Sequence, residues 1–451
     1  MTFTVKDILR LEVAPALGCT EPVAVALASA AAASLLPGGP ATRSACHVEV
    51  WTDPNVYKNG LAVSIPGAAD LKGLDTAAAL GAMGGDPALR LEVLGPISDS
   101  ARASALQALH EKRVAVHLLR DRQGLFIRSR VTLQDETGTE HIAEAEIQGL
   151  HDNITSLKLN GKPLTEHPLL ASRAVDGKSG LDELEEWLKG LSLEEIIALT
   201  DGLDEEDRQF LQEGVDRNML LAAHGLKHGS GLGIGKTLDR LVRQGLICRD
   251  MVLSARILAS AAADARMAGV NLPAMSSAGS GNHGLTAILP IRAVMDHIQA
   301  DTRQMLEAIA LSHMVTAYVK AHTGRLSAVC GCSVAAGAGA AAGVAYLLGG
   351  DAKHVAGAIK NLIADLAGVI CDGAKAGCAL KLNTAAGSAV QSALFALQGV
   401  DVHDTDGIIG HSSEQTMRNV GELSTQGMIE TDRTILNIMI EKRITAERGK
   451  A

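Results

Sequence analysis

Aromatic residues make up only 2% of the 451 residues. A core with few rings has to fill by close approach of backbones, so tightly packed helices rich in Ala and Gly are expected, and the 47 glycines suit that packing. Basic blocks are also missing. The formal net charge is −10, no Lys/Arg run reverses it locally, and nucleic acid is excluded as an expected partner. No apolar run has the length and flanks of a membrane span or signal peptide. Residues 22–37 are apolar, but Asp7, Glu12 and Glu21 precede them where a signal peptide carries positive charge. Residues 334–350 are uncharged, but short for a span and mostly Ala and Gly. Both read as buried helices, and the expected compartment is the cytoplasm, with no membrane partner.

An even set of cysteines is lacking as well. The seven are Cys19, Cys46, Cys248, Cys330, Cys332, Cys371 and Cys378. An odd count in a long chain argues against a disulfide framework and for a reducing compartment with working thiols. Cys46, on a strand, and Cys248, in an apolar stretch, read as core. The late four fall in Val329-Cys330-Gly331-Cys332-Ser333-Val334 and Cys371-Asp372-Gly373-Ala374-Lys375-Ala376-Gly377-Cys378. Three of them could hold a four-iron cluster with one iron bare, since thiolates are the usual ligands of such clusters. Four could instead close a structural zinc site, and buried free thiols are common in their own right. Spacing leaves these three open.

Length allows two or three domains. The expected fold class is α+β: an N-terminal antiparallel α+β domain followed by a mainly helical, Ala/Gly-rich domain. The boundaries are 1–165, a linker and connecting helix over 166–200, and an all-helical 201–451. Period-two alternation marks strands at 46–51, 61–65, 114–119, 125–133 and 141–147, with helices near 70–85 and 99–112. Residues 151–180 read as a polar linker. Helical runs then follow at 181–200, 204–225, 236–268, 300–321, 332–348, 352–368, 378–398 and 430–442, with no convincing strand.

Pro22 suits the first turn of a helix, which puts Cys19 and Thr20 at its N-terminus, where the helix dipole lowers a thiol's pKa. Residues 53–60 lie between two expected strands and read as a hairpin loop turning at Asn59-Gly60. Residues 229–237 hold four glycines before Lys236-Thr237, but the spacing fails a phosphate-binding loop and the preceding segment is helical, so an interhelical connector is expected. Residues 276–284 form a second small-residue loop ahead of a helix, and its N–H groups could cradle a carboxylate. Lys381 reads as solvated or ion-paired, with a pyridoxal anchor as the lesser alternative.

Taken together, Pro15-Ala16-Leu17-Gly18-Cys19-Thr20-Glu21-Pro22, Asn55-Val56-Tyr57-Lys58-Asn59-Gly60, Gly279-Ser280-Gly281-Asn282, Cys330-Gly331-Cys332 and the Cys371–Cys378 segment resemble the iron–sulfur L-cysteine desulfidases, relatives of the α-chain of iron–sulfur L-serine dehydratases. The resemblance implies a [4Fe–4S] cluster on three cysteines. Cys371 and Cys378 match the two late ligands; the third is Cys332, expected to open the following helix, or alternatively Cys330. Cys19 matches the catalytic base. Thr20, Glu21, Asn55, Lys58, Asn59, Ser280, Asn282 and His283 are the implied substrate contacts. The family is expected to carry Gln where this chain has His283. The implied partner is a small amino acid, from which L-cysteine would yield sulfide, ammonia and pyruvate. L-Serine dehydration and a non-enzymatic thiol-stabilised helical protein are the rivals. A homo-oligomer is one option that the sequence leaves open.

Overall fold

The computed structural model describes residues 2–39, 42–66, 68, 71–170 and 180–448. Residues 171–179, inside the expected linker, lie outside the described residues. The N-terminal part runs α1 (Val5–Glu12), β1 (Pro15–Ala16), α2 (Thr20–Ser34), β2 (His47–Thr52), α3 (Pro54–Gly60), α4 (Leu74–Gly84), α5 (Asp99–His110), β3 (Val114–Leu118), β4 (Phe126–Gln134), β5 (Glu140–Gln148), β6 (Ile154–Leu159) and β7 (Lys162–Pro163). Helices follow: α6 (Gly180–Leu188), α7 (Leu193–Ala198), α8 (Glu205–His228), α9 (Ile234–Arg243) and α10 (Met251–Met267). After the short β8 (Ala274–Met275) come α11 (Gly281–Met295), α12 (Thr302–Thr323), α13 (Ala335–Leu347), α14 (Ala352–Leu366), α15 (Cys378–Leu397), α16 (Ser413–Glu422) and α17 (Ile429–Arg448). The α+β class and the helical C-terminal part are as expected.

The sheet is mixed, with strand order β3-β2-β4-β5-β6-β7. The expectation of purely antiparallel pairing fails at one place: β2 and β3 run parallel, Val48 opposite Val114. Their connection passes through α3, α4 and α5, and a crossover of that length permits parallel pairing, whereas the short turns after β4 and β5 enforce antiparallel pairing. The expected linker also loses its first part to the sheet. Ile154-Thr155-Ser156-Leu157-Lys158-Leu159 alternates and pairs with β5, and Asn160-Gly161 turns the chain into β7. The expected strand at 61–65 reduces to one bridge, Ser64 to Lys72.

Residues 53–60 are a helix and not a hairpin loop. Asp53 caps it, accepting from the N–H groups of Asn55 at 2.8 Å and Val56 at 3.2 Å, and Pro54 takes the first helical position. An Asp-Pro start is a helix signal that outweighs Asn59-Gly60 as a turn. The expected helix 236–268 is two helices, because Gly245 takes φ +70° and ends the first. Cys248 therefore sits in the exposed connection and is not core, whereas Cys46 is buried.

Small residues pack as expected. A Cβ on Gly81 of α4 would fall 2.2 Å from the Ala26 carbonyl of α2, and one on Gly225 of α8 would fall 2.0 Å from the Ala261 carbonyl of α10. These helix pairs touch backbone to backbone, which is how a chain poor in rings fills its interior. Two hydrophobic cores result. One joins α2, α4 and the inner face of the sheet; the other joins the helices from α6 onward and includes Val5, Ile8 and Leu9 of α1. The chain crosses between them at β1, which pairs with β8. That pairing carries Cys19 to the helical side.

Candidate functional site

Two local pairings build the site. Along the first, Ala278 donates to the Glu12 carbonyl and Ser276 to the Ala14 carbonyl, both at 2.8 Å, so the start of α2 and the loop before α11 lie side by side. Ala278 takes φ +44° and Gly279 φ +77°. Left-handed backbone at a residue with a Cβ is strained, and such strain concentrates at functional loops. Along the second, Cys330 donates to the Val369 carbonyl at 2.8 Å and Cys371 to the Ala328 carbonyl at 2.6 Å. This antiparallel contact brings the two cysteine segments together.

The pairings close one cavity. Cys19, Cys330, Cys332, Cys371 and Cys378 all line it, from sequence positions more than three hundred residues apart at the extremes. So do Glu21, Asn59, Ser280, Asn282 and His283. Of the implied substrate contacts, Asn55 and Lys58 line instead a larger groove of about 760 Å³. The two spaces adjoin, since Leu326 and Ser327 line both. Lys58 is buried and ion-paired with Asp432 of α17. Thr20 is buried and donates its hydroxyl to Glu21 at 3.2 Å.

Cys19 precedes α2 as its cap residue, as expected, but its thiol is not activated by the helix. Burial and the neighbouring Glu21 carboxylate push its pKa up, and the nearby Arg266 offsets only part of that. The thiol donates to Glu21 Oε2 at 2.9 Å. Glu21 also accepts from Asn59 Nδ2 at 2.8 Å, and these bonds together with His151 hold its carboxyl low against the cost of burial.

His283 donates through Nδ1 to the Ser277 carbonyl at 3.2 Å, because a carbonyl can only accept. Its Nε2 is thus an acceptor. Burial pushes the imidazole down to about 3, so the ring is neutral. Nε2 rests against Gly331, where a Cβ would lie 2.4 Å away. Gly331 is needed between the two cysteines for this contact.

Cys378 is the first residue of α15, and residues 371–377 form a loop turned by Gly373 at φ +87°. Helix α13 begins at Ala335, so Cys332 lies in the turn before it and does not open it. Cys332 is half-buried, whereas Cys330 is buried and accepts from the Ser333 hydroxyl at 3.5 Å. The two neighbouring thiols act on each other so that ionisation of Cys330 is favoured and that of Cys332 opposed. Among the described residues no three His, Cys, Asp or Glu side chains converge on one point as ligands of a single ion would. The ligands of an iron–sulfur cluster each bind a separate iron, so its thiols need only share a space. The four late thiols share one cavity, a donor set that suits such a cluster, with Glu21, His151 and His283 also on its walls.

Sequence reasoning missed Arg266, Lys320 and His151, which also line the cavity. A signal existed for two of them. Arg266 follows Ala261-Ala262-Ala263-Asp264-Ala265, and Lys320 ends Val315-Thr316-Ala317-Tyr318-Val319; a cation in an otherwise small or apolar helix face has a buried task. Lys381 is ion-paired with Asp372, as expected for the bland alternative. The glycine-rich connector is also accounted for: the Asp264 carboxylate accepts from Leu232 and Gly235 N–H at 3.2 Å each, filling the place a phosphate would take.

The model of the serine dehydratase alpha chain matches residues 123–437. The chain belongs to the serine dehydratase alpha chain family. The match includes the four late cysteines and the 279–283 loop; Cys19, Glu21 and Asn59 lie before it. Relatives extend the likeness to the whole chain. It is 62% identical over 447 residues to a UPF0597 protein of Desulfatibacillum aliphaticivorans, covering 99% of this chain and 100% of the relative. A UPF0597 protein of Desulfotalea psychrophila is 60% identical over 442 residues (98% and 99%), and one of Clostridioides difficile 43% over 433 residues (96% and 98%). Among the described residues no helix is long and apolar enough to cross a membrane.

Proposed function

We propose that this member of the family is a cytoplasmic carbon–sulfur lyase that removes sulfide from L-cysteine by α,β-elimination, using a [4Fe–4S] cluster. Cys371, Cys378 and one thiol of the Cys330/Cys332 pair, Cys332 by its greater exposure, would hold the cluster. When bound, it supplies a Lewis-acidic iron that stabilises charge on the departing β-substituent.

The protein's own groups account for the rest. Cys19, as thiolate, takes the α-proton. Its bond to Glu21 orients the sulfur and keeps it protonated at rest; the ammonium of an arriving amino acid beside Glu21 offsets the carboxylate that opposes thiolate formation. The N-terminus of α11 has no side-chain cap, and although Ser280 N–H is taken by the Ser277 carbonyl, the N–H groups of Gly281 and Asn282 can be offered to a carboxylate. Loss of the α-proton to Cys19 and of the β-sulfur as sulfide leaves aminoacrylate, which water converts to pyruvate and ammonia. The observation that carries this reading is the convergence of Cys19 and the four late thiols on one cavity, for which a thiol-stabilised binding protein gives no reason.

L-Serine is the second substrate to be weighed, because the family description names it. Anaerobically reconstituted protein assayed with both amino acids separates the two. The proposal expects sulfide and pyruvate from L-cysteine at the higher kcat/KM. Faster pyruvate release from L-serine would make the protein a dehydratase, and no product from either would remove the reading.

A further inference from the structure

The cavity holds two opposite charges that do not neutralise each other. Arg266 is 2% exposed, and its guanidinium donates only to neutral groups: Nη1 to Asn282 Oδ1 at 2.9 Å and Nη2 to the Gly18 carbonyl. Its Nε has no acceptor. The group lies flat on Gly281, the first residue of α11, where a Cβ would come 2.4 Å from Nε. Glu21 is 7% exposed and is bonded to Cys19, Thr20 and Asn59, none of them cationic. Its nearest ionisable base is His151, at 4.0 Å, a ring whose protonation burial opposes. Among the described residues neither Glu21 nor Arg266 makes an ion pair with a permanently charged side chain. A guanidinium cannot shed its proton, and a buried charge without a counter-charge is costly.

Two of the other cavity cations have partners, and the third, the buried Lys320, makes no ion pair among the described residues. Arg325 is held by Glu12 and Glu185, and Lys381 by Asp372. Lys320 feels Cys371 and Cys332, so it stands on the thiol side of the space. Arg266 stands on the other side, near Cys19.

We propose that Glu21 and Arg266 are the two ends of a receptor for the zwitterion of an α-amino acid: Glu21 takes the ammonium, and Arg266, with the N–H of Gly281, takes the carboxylate. Cys19, between them in the fold, then faces the α-carbon that bears both groups. This deepens the proposed function and rests on it for the chemistry that follows binding. It makes Arg266 a positioning residue, and it predicts selection for amino acids unblocked at both ends. Gly281 is part of the device, since only a residue without a side chain lets the guanidinium cover the start of α11.

The test is calorimetric titration of the full-length protein with L-alanine, which has no β-leaving group and is not consumed. L-Alaninamide and N-acetyl-L-alanine are the blocked probes. The receptor predicts that each blocked probe binds at least about tenfold more weakly than L-alanine, the scale of a lost charged hydrogen bond. Arg266→Gln should abolish the preference for L-alanine over its amide, and Arg266→Lys should keep a reduced preference. Equal binding of L-alanine and L-alaninamide by the unaltered protein overturns the assignment, and would mean that Arg266 serves the Cys19 thiolate alone. A folded Arg266→Gln protein with unchanged selectivity also overturns it, as does absence of L-alanine binding. If Arg266→Gln fails to fold, the probe comparison on the unaltered protein still decides. Iron content and pyruvate release from L-cysteine, measured on the same sample, report separately on the proposed function.

Discussion

The Cys19 thiol donates to the Glu21 carboxylate two residues on, at 2.9 Å, inside the same cavity that four other thiols line. A thiol so placed is not a free nucleophile. Burial and the carboxylate both favour its protonated form, so its ionisation waits on positive charge brought into the cavity. The bond also fixes where the sulfur points, which a base needs as much as its pKa.

Replacement of Cys19 by Ser separates base from ligand. The serine variant should keep the cluster and its absorption, because Cys19 is bonded to Glu21 and belongs to neither of the two cysteine segments that would hold it. Turnover of L-cysteine should fall by about 10²–10⁴-fold, the usual loss for a missing general base, with KM changed far less than kcat. Steady-state kinetics on reconstituted protein gives the answer; full activity would remove Cys19 from the chemistry.

The four late thiols should not be equivalent. Cys371→Ala and Cys378→Ala are expected to lose iron, and so is Cys332→Ala, whose thiol is the less buried of its pair. Cys330→Ala should keep iron, since Cys330 is turned inward toward Ser333. Iron analysis of the four variants checks this. Loss at Cys330 with retention at Cys332 would exchange the two roles.

How much of this was legible beforehand depended on the range of the interaction. Local signals served well. Alternation located β4 and β5, and Ala/Gly runs marked the close-packed helices. The helix that carries Pro22 in its first turn stands where start signals put it, whereas the loop expected over 276–284 ends at Ser280 and Gly281 already opens α11. What failed was decided at a distance or by competing local signals. Parallel pairing of β2 with β3 depends on a crossover through three helices, and Asp53-Pro54 prevailed over Asn59-Gly60. The depressed thiol expected at Cys19 was reversed by burial and by Glu21, whose carboxylate accepts from it. Arg266 carried a signal, a cation after a run of small residues, but its meaning lies in its having no ion pair among the described residues, which no spacing reveals.

Gly81 tests the packing. Gly81→Ala would drive a methyl group into the Ala26 carbonyl, and both helices would have to shift. A loss of about 1–3 kcal/mol is expected, read as a lower urea midpoint at unchanged slope. An unchanged midpoint would mean that α2 and α4 are not in backbone contact.

Asp53 should make stability depend on pH. Burial raises its pKa from 3.8 to about 6 in the folded protein. The folded pKa lies above the unfolded one, so the folded state binds the proton more tightly. Its contribution is full below pH 3.8 and is lost as pH rises through 6, a change of about 3 kcal/mol. Urea midpoints between pH 4 and 7 should fall more steeply in the native sequence than in Asp53→Asn. At low pH the variant is the less stable of the two, because its one amide oxygen cannot serve both the helix N–H groups and Phe126 N–H, from which Asp53 Oδ2 accepts at 2.9 Å. Equal slopes for the two proteins would contradict the burial argument.

The central claim is that thiols from two distant segments hold an iron–sulfur cluster at the cavity that also contains Cys19. Its most direct test is iron and acid-labile sulfide analysis of anaerobically reconstituted protein, alongside a Cys371→Ala/Cys378→Ala double variant. The account predicts about four irons and four sulfides per chain in the native sequence, the content of a [4Fe–4S] cluster, and almost none in the double variant. Iron retained by the double variant, or a colourless native protein holding zinc alone, would contradict it.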